Sequence, residues 1–179
     1  MMTPSKKKIL AISGSTKSGS TNERILHAIA HLYAPRVEFE IFTAIDRLPH
    51  FNPDLDNDHP PAEVVELRRL IDESAGVLIS TPEYVFSLPG ALKNALEWMV
   101  STTIFTDKPA AFIIAATSGE KAFESLALIL RTIGAKIDDD SMMLVRGARA
   151  KLADDDTITD EPTRQEIDRV MTALLRNID

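Results

Sequence analysis

Five short apolar runs divide this chain, and each is followed by a stretch with helical periodicity. Lys8 to Ser13 (KILAIS), Val37 to Phe42, Gly76 to Ile79 (GVLI), Pro109 to Ala116 (PAAFIIAA) and Met142 to Val145 have the length and residue types of strands. KILAIS and PAAFIIAA show little polar alternation, as expected for strands covered on both faces. Between the runs, apolar residues recur at helical spacing. They are Leu26, Ile29, Ala30 and Tyr33; Val64, Leu67, Leu70 and Ile71; Leu92, Ala95, Leu96 and Met99; Phe123, Leu126, Ala127 and Leu130; and Ile167, Val170, Met171, Leu174 and Ile178. Gly134 is placed to end the fourth helix at C′. Strands alternating with helices predict a doubly wound parallel α/β sheet in three layers, α/β/α.

Periodicity does not set strand order. The most economical choice is the flavodoxin-like order 2-1-3-4-5, in which a mononucleotide binds at the switch point, outside the carboxyl ends of the strands. The chain of 179 residues is read as a single domain, 1–179, without repeats or low-complexity tracts. It has no cysteine, which excludes disulfides, thiolate-held iron–sulfur clusters and a cysteine nucleophile. A net charge of −7 argues against a nucleic-acid partner. No apolar run approaches the ~20 residues of a membrane span. The start, MMTPSKKKILAISGS, has too short an apolar run for a signal peptide, so a cytoplasmic location is expected.

The loops after the first and third strands carry the chemistry. Gly14 to Asn22 is dense in hydroxyls and leads into a helix, whose N-terminal N–H groups and dipole suit a phosphate. Lys17 and Arg24 add charge. The plainer reading is that Ser20 and Glu23 form a capping box, S-x-x-E. Gly14 and Gly19 have the separation of a P-loop, but Ser20 replaces its lysine, which argues against ATP or GTP hydrolysis. The G-x-G-x-x-G dinucleotide motif is absent. A response-regulator receiver needs acidic residues where this chain has Ser13-Gly14 and Thr81-Pro82.

The stretch Ser80 to Met99 organises the remainder. It leaves the third strand through Thr81-Pro82-Glu83-Tyr84, in an irregular loop, and enters a helix with Pro89 in its first turn. Its eighteen residues TPEYVFSLPGALKNALEW closely resemble the T-P-E-Y-N-x-S-x-P-G-x-L-K-N-A-I-D-W signature of the NADPH-dependent FMN reductase family. That family includes bacterial quinone and chromate reductases and related azoreductases. The first loop is similar to its G-S-x-R-x-x-S-x-N phosphate motif, with Lys17 at the arginine position. Leu48 to Leu55 looks like its long loop after the second strand.

The resemblance implies FMN and NAD(P)H as cofactors and a quinone or similar small-molecule acceptor, reached by ping-pong hydride transfer. Ser15, Lys17, Ser20, Thr21 and Asn22 would hold the FMN phosphate. Pro82, Glu83, Tyr84, Val85 and Phe86 would lie along the isoalloxazine, and Thr117, Ser118 and Gly119 would close a third side. Two places depart from the family. Val85 replaces an asparagine, removing a side-chain hydrogen bond, and the third loop reads SGEKA in place of a Gly-Gly pair followed by Arg. FMN carries the hydride chemistry, so no side chain is expected to be catalytic. The runner-up is a flavodoxin-like FMN electron carrier without efficient NAD(P)H oxidation. A weaker third reading is a member that has lost FMN.

Other candidates have plainer explanations. His27 and His31 are four apart but lack the glutamate of H-E-x-x-H, so a solvated helix face is expected. Asp138 to Asp140 and Asp154 to Asp156 read as solvated turns rather than magnesium sites. Glu83 reads as a hydrogen-bond anchor before a general base. Trp98 is expected to serve packing, within the chain or across a subunit interface. Tyr84 and Phe86 are placed for a flavin or dimer role rather than the core. Leu88, Trp98, Ile104 and Phe105 are expected to offer apolar surface to a homodimer or homotetramer.

Overall fold

The computed structural model describes residues 6–179; residues 1–5, which open the segment weighed as a signal peptide, lie outside the described residues. Strands β1 (Lys8–Ser13), β2 (Glu38–Phe42), β3 (Gly76–Thr81), β4 (Ala110–Ala116) and β5 (Met142–Arg146) form a parallel sheet of order β2-β1-β3-β4-β5. Helices α1 (Thr21–Tyr33), α2 (Ala62–Glu73), α3 (Gly90–Glu97), α4 (Glu120–Thr132) and α5 (Glu161–Ile178) complete three flavodoxin-like layers, as predicted. β3 runs two residues beyond its apolar core, pairing Ser80 and Thr81 with Ile113 and Ile114 of β4.

Each face of the sheet is apolar because successive side chains point to opposite sides. Ile9, Ala11, Leu78, Ala111 and Ile113 meet Leu26 and Ile29 of α1 and Val170 and Leu174 of α5. Leu10, Ile12, Val77, Ile79, Phe112 and Ile114 meet Leu67 of α2, Leu92 of α3 and Leu126 of α4. That two-sided burial is why these runs lack polar alternation. Gly134 ends α4 as predicted: it has φ +86, its N–H donates to the Arg131 carbonyl (3.1 Å), and Ala135 N–H donates to the Leu130 carbonyl (2.9 Å). This is a Schellman motif. Pro89 sits one place earlier than expected, as the N-cap of α3 in extended conformation.

The long connection between β2 and α2 is ordered by side chains of α2 and α3. It contains two 3-10 turns, Ile45–Arg47 and Pro53–Leu55. The Asn94 amide accepts from Phe51 N–H (2.7 Å) and donates to the Pro49 carbonyl (3.0 Å). Trp98 Nε1 donates to the same carbonyl (2.8 Å), and its ring meets Phe51 edge-on at 5.1 Å. This covering layer corrects the expectation of apolar surface. Leu88, Trp98 and Phe105 are buried within the chain's own core, and Ile104 is partly buried against it.

Arg68 pins the same connection, donating to Asp56 Oδ1 (2.8 Å), Ser101 Oγ (3.2 Å) and the Trp98 carbonyl. Desolvation pushes the Asp56 carboxyl upward, but hydrogen bonds from Arg68 and Ser101 and the Arg68 charge outweigh it, leaving it below the ordinary aspartate value. A depressed folded-state value contributes stability above the unfolded-state value, about 3.9, and loses it as pH falls through the folded one. Asp56→Asn is therefore expected to cost about 2 kcal/mol in urea denaturation at pH 7. The deficit should shrink as the comparison is moved below pH ~3.5.

Gly14, just past β1, lies tight against the end of β3. Its N–H donates to the Ser80 carbonyl (2.8 Å), and a Cβ there would lie 2.2 Å from Thr81 Oγ1 and 2.4 Å from Thr81 Cβ. Gly14→Ala is expected to destabilise by about 1–3 kcal/mol through overpacking. Gly90→Ala is the control, since a Cβ at this first position of α3 meets nothing within 4 Å. It should be neutral or stabilising by a few tenths of a kcal/mol, as read from denaturation midpoints.

Candidate functional site

The loop after β1 is folded by its own hydroxyls. Ser13 Oγ donates to the Ser15 carbonyl (3.2 Å) and accepts from Ser15 N–H (3.3 Å), and Ser15 Oγ accepts from Lys17 N–H (3.3 Å). Ser20 caps α1 by accepting from Glu23 N–H (3.2 Å), while Glu23 reaches back to Gly19 N–H (2.8 Å) rather than to Ser20 itself. The S-x-x-E signature is thus a cap. It still leaves the N–H groups of Thr16, Ser18, Thr21 and Asn22 without a hydrogen-bond partner among the described residues. A cavity of about 290 Å³ opens there, lined by Ser15, Lys17, Ser20 and Thr21 from this loop, with Tyr84 and Arg149 across from them. No carboxylate lines it. Hydroxyls, open N–H groups and cations at a helix N-terminus fit a phosphate.

Two predicted contributors have other duties. The Asn22 side chain turns inward and is buried: its amide accepts from Ser80 Oγ (3.0 Å) and faces the Ala115 carbonyl at 3.5 Å. Only its backbone N–H is left for a ligand. Arg24 is held by Asp156 and the Ala153 carbonyl, so its charge is already neutralised.

After β3 the chain makes a tight hairpin, not an irregular loop. Tyr84 N–H donates to the Ser87 carbonyl (2.9 Å) and Ser87 N–H returns to Tyr84 (3.0 Å). Val85 and Phe86 both have positive φ, +50° and +56°, which makes this a type I′ turn. Such turns favour Asn-Gly, and a β-branched residue there is strained. Tyr84, Val85 and Phe86 are 54, 96 and 77% exposed, so none belongs to the core. A valine at this left-handed position carries a backbone strain that asparagine would not.

Glu83 fixes the base of the hairpin. Its Oε2 accepts from the N–H groups of Lys121 (2.9 Å) and Ala122 (3.0 Å). It caps α4, whose own N-cap, Gly119, has no side chain to do so. The anchor reading of Glu83 is the one the geometry favours. The link sets Pro82 to Phe86 opposite Thr117 and Ser118 across a cleft of about 380 Å³. Pro82 and Tyr84 wall this cleft and the phosphate cavity alike, so the two adjoin. Gly119 stands outside the lining; with φ +119, its missing Cβ makes room for Leu144.

A further cavity of about 610 Å³ adjoins at Thr21, Ala115 to Thr117 and Gly147 to Ala150. Arg149 faces both it and the phosphate cavity, and no motif marks this residue in the sequence. Another hollow of about 590 Å³ lies by α1 and residues 155–158, lined by the exposed His27 and His31 with Asp155, Asp156 and Arg164. It takes nothing from the first loop or the hairpin. Asp155 and Asp138 both cap local turns, accepting from Thr157 N–H (3.0 Å) and Ser141 N–H (2.9 Å).

The hairpin strain predicts that Val85→Asn raises stability by about 1 kcal/mol, since asparagine tolerates the left-handed region. Glu83→Ala is expected to lower it by about 1–2 kcal/mol through loss of the α4 cap. Both are read from urea midpoints at constant m-value.

Comparison with known proteins agrees with this fold. The family model for NADPH-dependent FMN reductase matches residues 7–148. A NADH:(hydroxy)cinnamate reductase subunit of Vibrio ruber is 38% identical over 111 residues, 62% of this chain and 54% of that protein. A 2-hydroxy-1,4-benzoquinone reductase of a Burkholderia species is 38% identical over 110 residues, 59% of this chain and 58% of that one. The chain thus spans little more than half the length of these two relatives. The NAD(P)H:quinone oxidoreductase of Solanum tuberosum is 30% identical over 181 residues, 93% of this chain and 90% of its own. Among solved structures, the flavoenzyme NAD(P)H:(acceptor) oxidoreductase FerB of Paracoccus denitrificans superposes with a TM-score of 0.85 at 29% identity, covering 96% of this chain and 97% of its own. The chain belongs to the NADPH-dependent FMN reductase family.

Proposed function

We propose that the chain is an NAD(P)H-dependent, FMN-containing oxidoreductase of the quinone-reductase type, with the whole chain as one FMN-binding domain. The observation that carries this reading is the pair of adjoining cavities sharing Pro82 and Tyr84, one suited to a phosphate and the other an open cleft between the hairpin and the loop after β4. The names of the potato and Burkholderia relatives support a quinone as acceptor. The chemistry that FMN supplies when bound is hydride transfer, from a reduced nicotinamide and on to the acceptor.

The chain's own residues bind and orient. Ser15, Ser20, Thr21 and Lys17, with the open N–H groups of residues 16, 18, 21 and 22, hold the phosphate. Pro82 to Phe86 form one wall of the ring cleft, and Thr117 and Ser118 form the other. Backbone N–H groups there would serve as donors to the polar edge of the ring. Glu83 positions the wall and moves no proton, because its carboxylate is engaged with α4. A cleft this open would admit nicotinamide and acceptor in turn, as a ping-pong sequence requires. We also read the exposed Tyr84, Val85 and Phe86 as subunit contacts of a homodimer or homotetramer in the cytoplasm, where reduced nicotinamide is at hand.

The test titrates flavin-free protein with FMN, then follows NADPH oxidation with a benzoquinone. Saturable binding, a rate well above that of the same free FMN, and parallel double-reciprocal lines are expected. Binding with a rate equal to free FMN would leave an electron carrier, and absence of binding would remove the reading. Light scattering should give a mass of two or four times 19.7 kDa; a monomer would refute the subunit contacts alone.

A further inference from the structure

The loop after β5 brings a further cation to the phosphate cavity. Gly147, with φ +64, opens the 3-10 turn Ala148–Lys151, and its N–H donates to the Ala116 carbonyl at the end of β4 (3.2 Å). Ala148 is buried in the core shared with α1 and α5, while Arg149 beside it is exposed and lines the cavity. The neighbouring cations are spoken for. Arg146 pairs with Glu120, Lys151 with Asp160 and Thr163, and Arg24 with Asp156. The Arg149 guanidinium, by contrast, has no ion pair or hydrogen bond among the described residues.

The ligand such a group selects follows from its chemistry. A planar guanidinium grips two phosphate oxygens at once, whereas an ammonium acts as a point charge. The first loop supplies only the ammonium of Lys17, where the family motif has an arginine. We propose that Arg149 is a phosphate-binding residue of this site. It pairs with the phosphate monoester of FMN held by the first loop, and it makes the site discriminate FMN from riboflavin. The inference rests on the FMN reading above and adds a residue from a fourth loop to it.

The test compares wild type, Arg149→Ala and Arg149→Lys, all flavin-free, by quenching of FMN and riboflavin fluorescence at low and high salt. Arg149→Ala is expected to weaken FMN by about 10–100-fold, the range of a charge-assisted hydrogen bond. Riboflavin affinity should stay within about twofold, the salt dependence of FMN binding should become shallower, and Arg149→Lys should recover part of the loss. Unchanged FMN affinity in Arg149→Ala would overturn the proposal, as would equal weakening of both flavins. A change confined to the NADPH-over-NADH preference would also overturn it, because the guanidinium would then serve the nucleotide. A parallel arm uses inorganic phosphate alone, read as thermal stabilisation. Wild-type protein stabilised by phosphate, with the effect lost in Arg149→Ala, upholds the residue's role even if FMN fails to bind and the functional reading falls. Wild-type protein indifferent to both phosphate and FMN defeats both.

Discussion

Where β1 and β3 end side by side, position 14 has no room for a side chain, because the side chains of Thr81 and Leu92 fill the space a Cβ would need. The rest of the site depends on that close fit. β1 pairs with β2 on one side and β3 on the other, so the strand order turns here and the loops that follow diverge around a crevice. Gly14 N–H on the Ser80 carbonyl fixes the register of the two exits. The buried Asn22 amide then receives the Ser80 hydroxyl and sets the first turn of α1 over β3 and β4. Because of this seating, the open N–H groups of that turn face the cavity that Pro82 and Tyr84 share with the ring cleft.

Two clamps hold the outer walls. Glu83 joins the hairpin to the start of α4 through two backbone N–H groups, and Asn94 with Trp98 joins α3 to the connection after β2. Both place a side chain on backbone groups of a distant segment, which gives rigidity that helix propensity alone does not supply. The tip of the hairpin is different, being exposed and held in a left-handed turn by residues that disfavour it. Strain of this kind concentrates at functional sites when the surroundings over-determine the conformation. Here Glu83 below and the paired N–H groups of Tyr84 and Ser87 do so.

Much of the fold was legible because burial on both faces forces continuous apolar runs, and helix ends carry local signals. Gly134 at C′ and Ser20 at the N-cap are instances in which the relevant partner lies within a few residues. What escaped depended on partners far along the chain. Glu83 and Lys121, Asn94 and Pro49, and Arg24 and Asp156 are tertiary contacts that no spacing rule announces. Trp98 packs within the chain, one of the two packing roles expected of it, under a connection that looked like a loose, proline-rich loop. The type I′ turn escaped because Val85-Phe86 lacks the Asn-Gly signal of that geometry. Of the residues expected at the site, Asn22 has its side chain buried and leaves only its backbone N–H to the cavity, and Gly119 lies outside the cleft lining, whereas no motif marks Arg149, which lines the cavity.

The most direct test of convergent loops is a backbone amide map of the protein titrated with FMN by 1H–15N NMR. The account predicts shifts at Thr16, Ser18, Thr21 and Asn22, at Glu83 to Ser87, at Thr117 and Ser118, and at Gly147 to Ala150, with little change at His27, His31 and Thr157. Shifts centred on that histidine-lined hollow, with the strand-end loops silent, would contradict it.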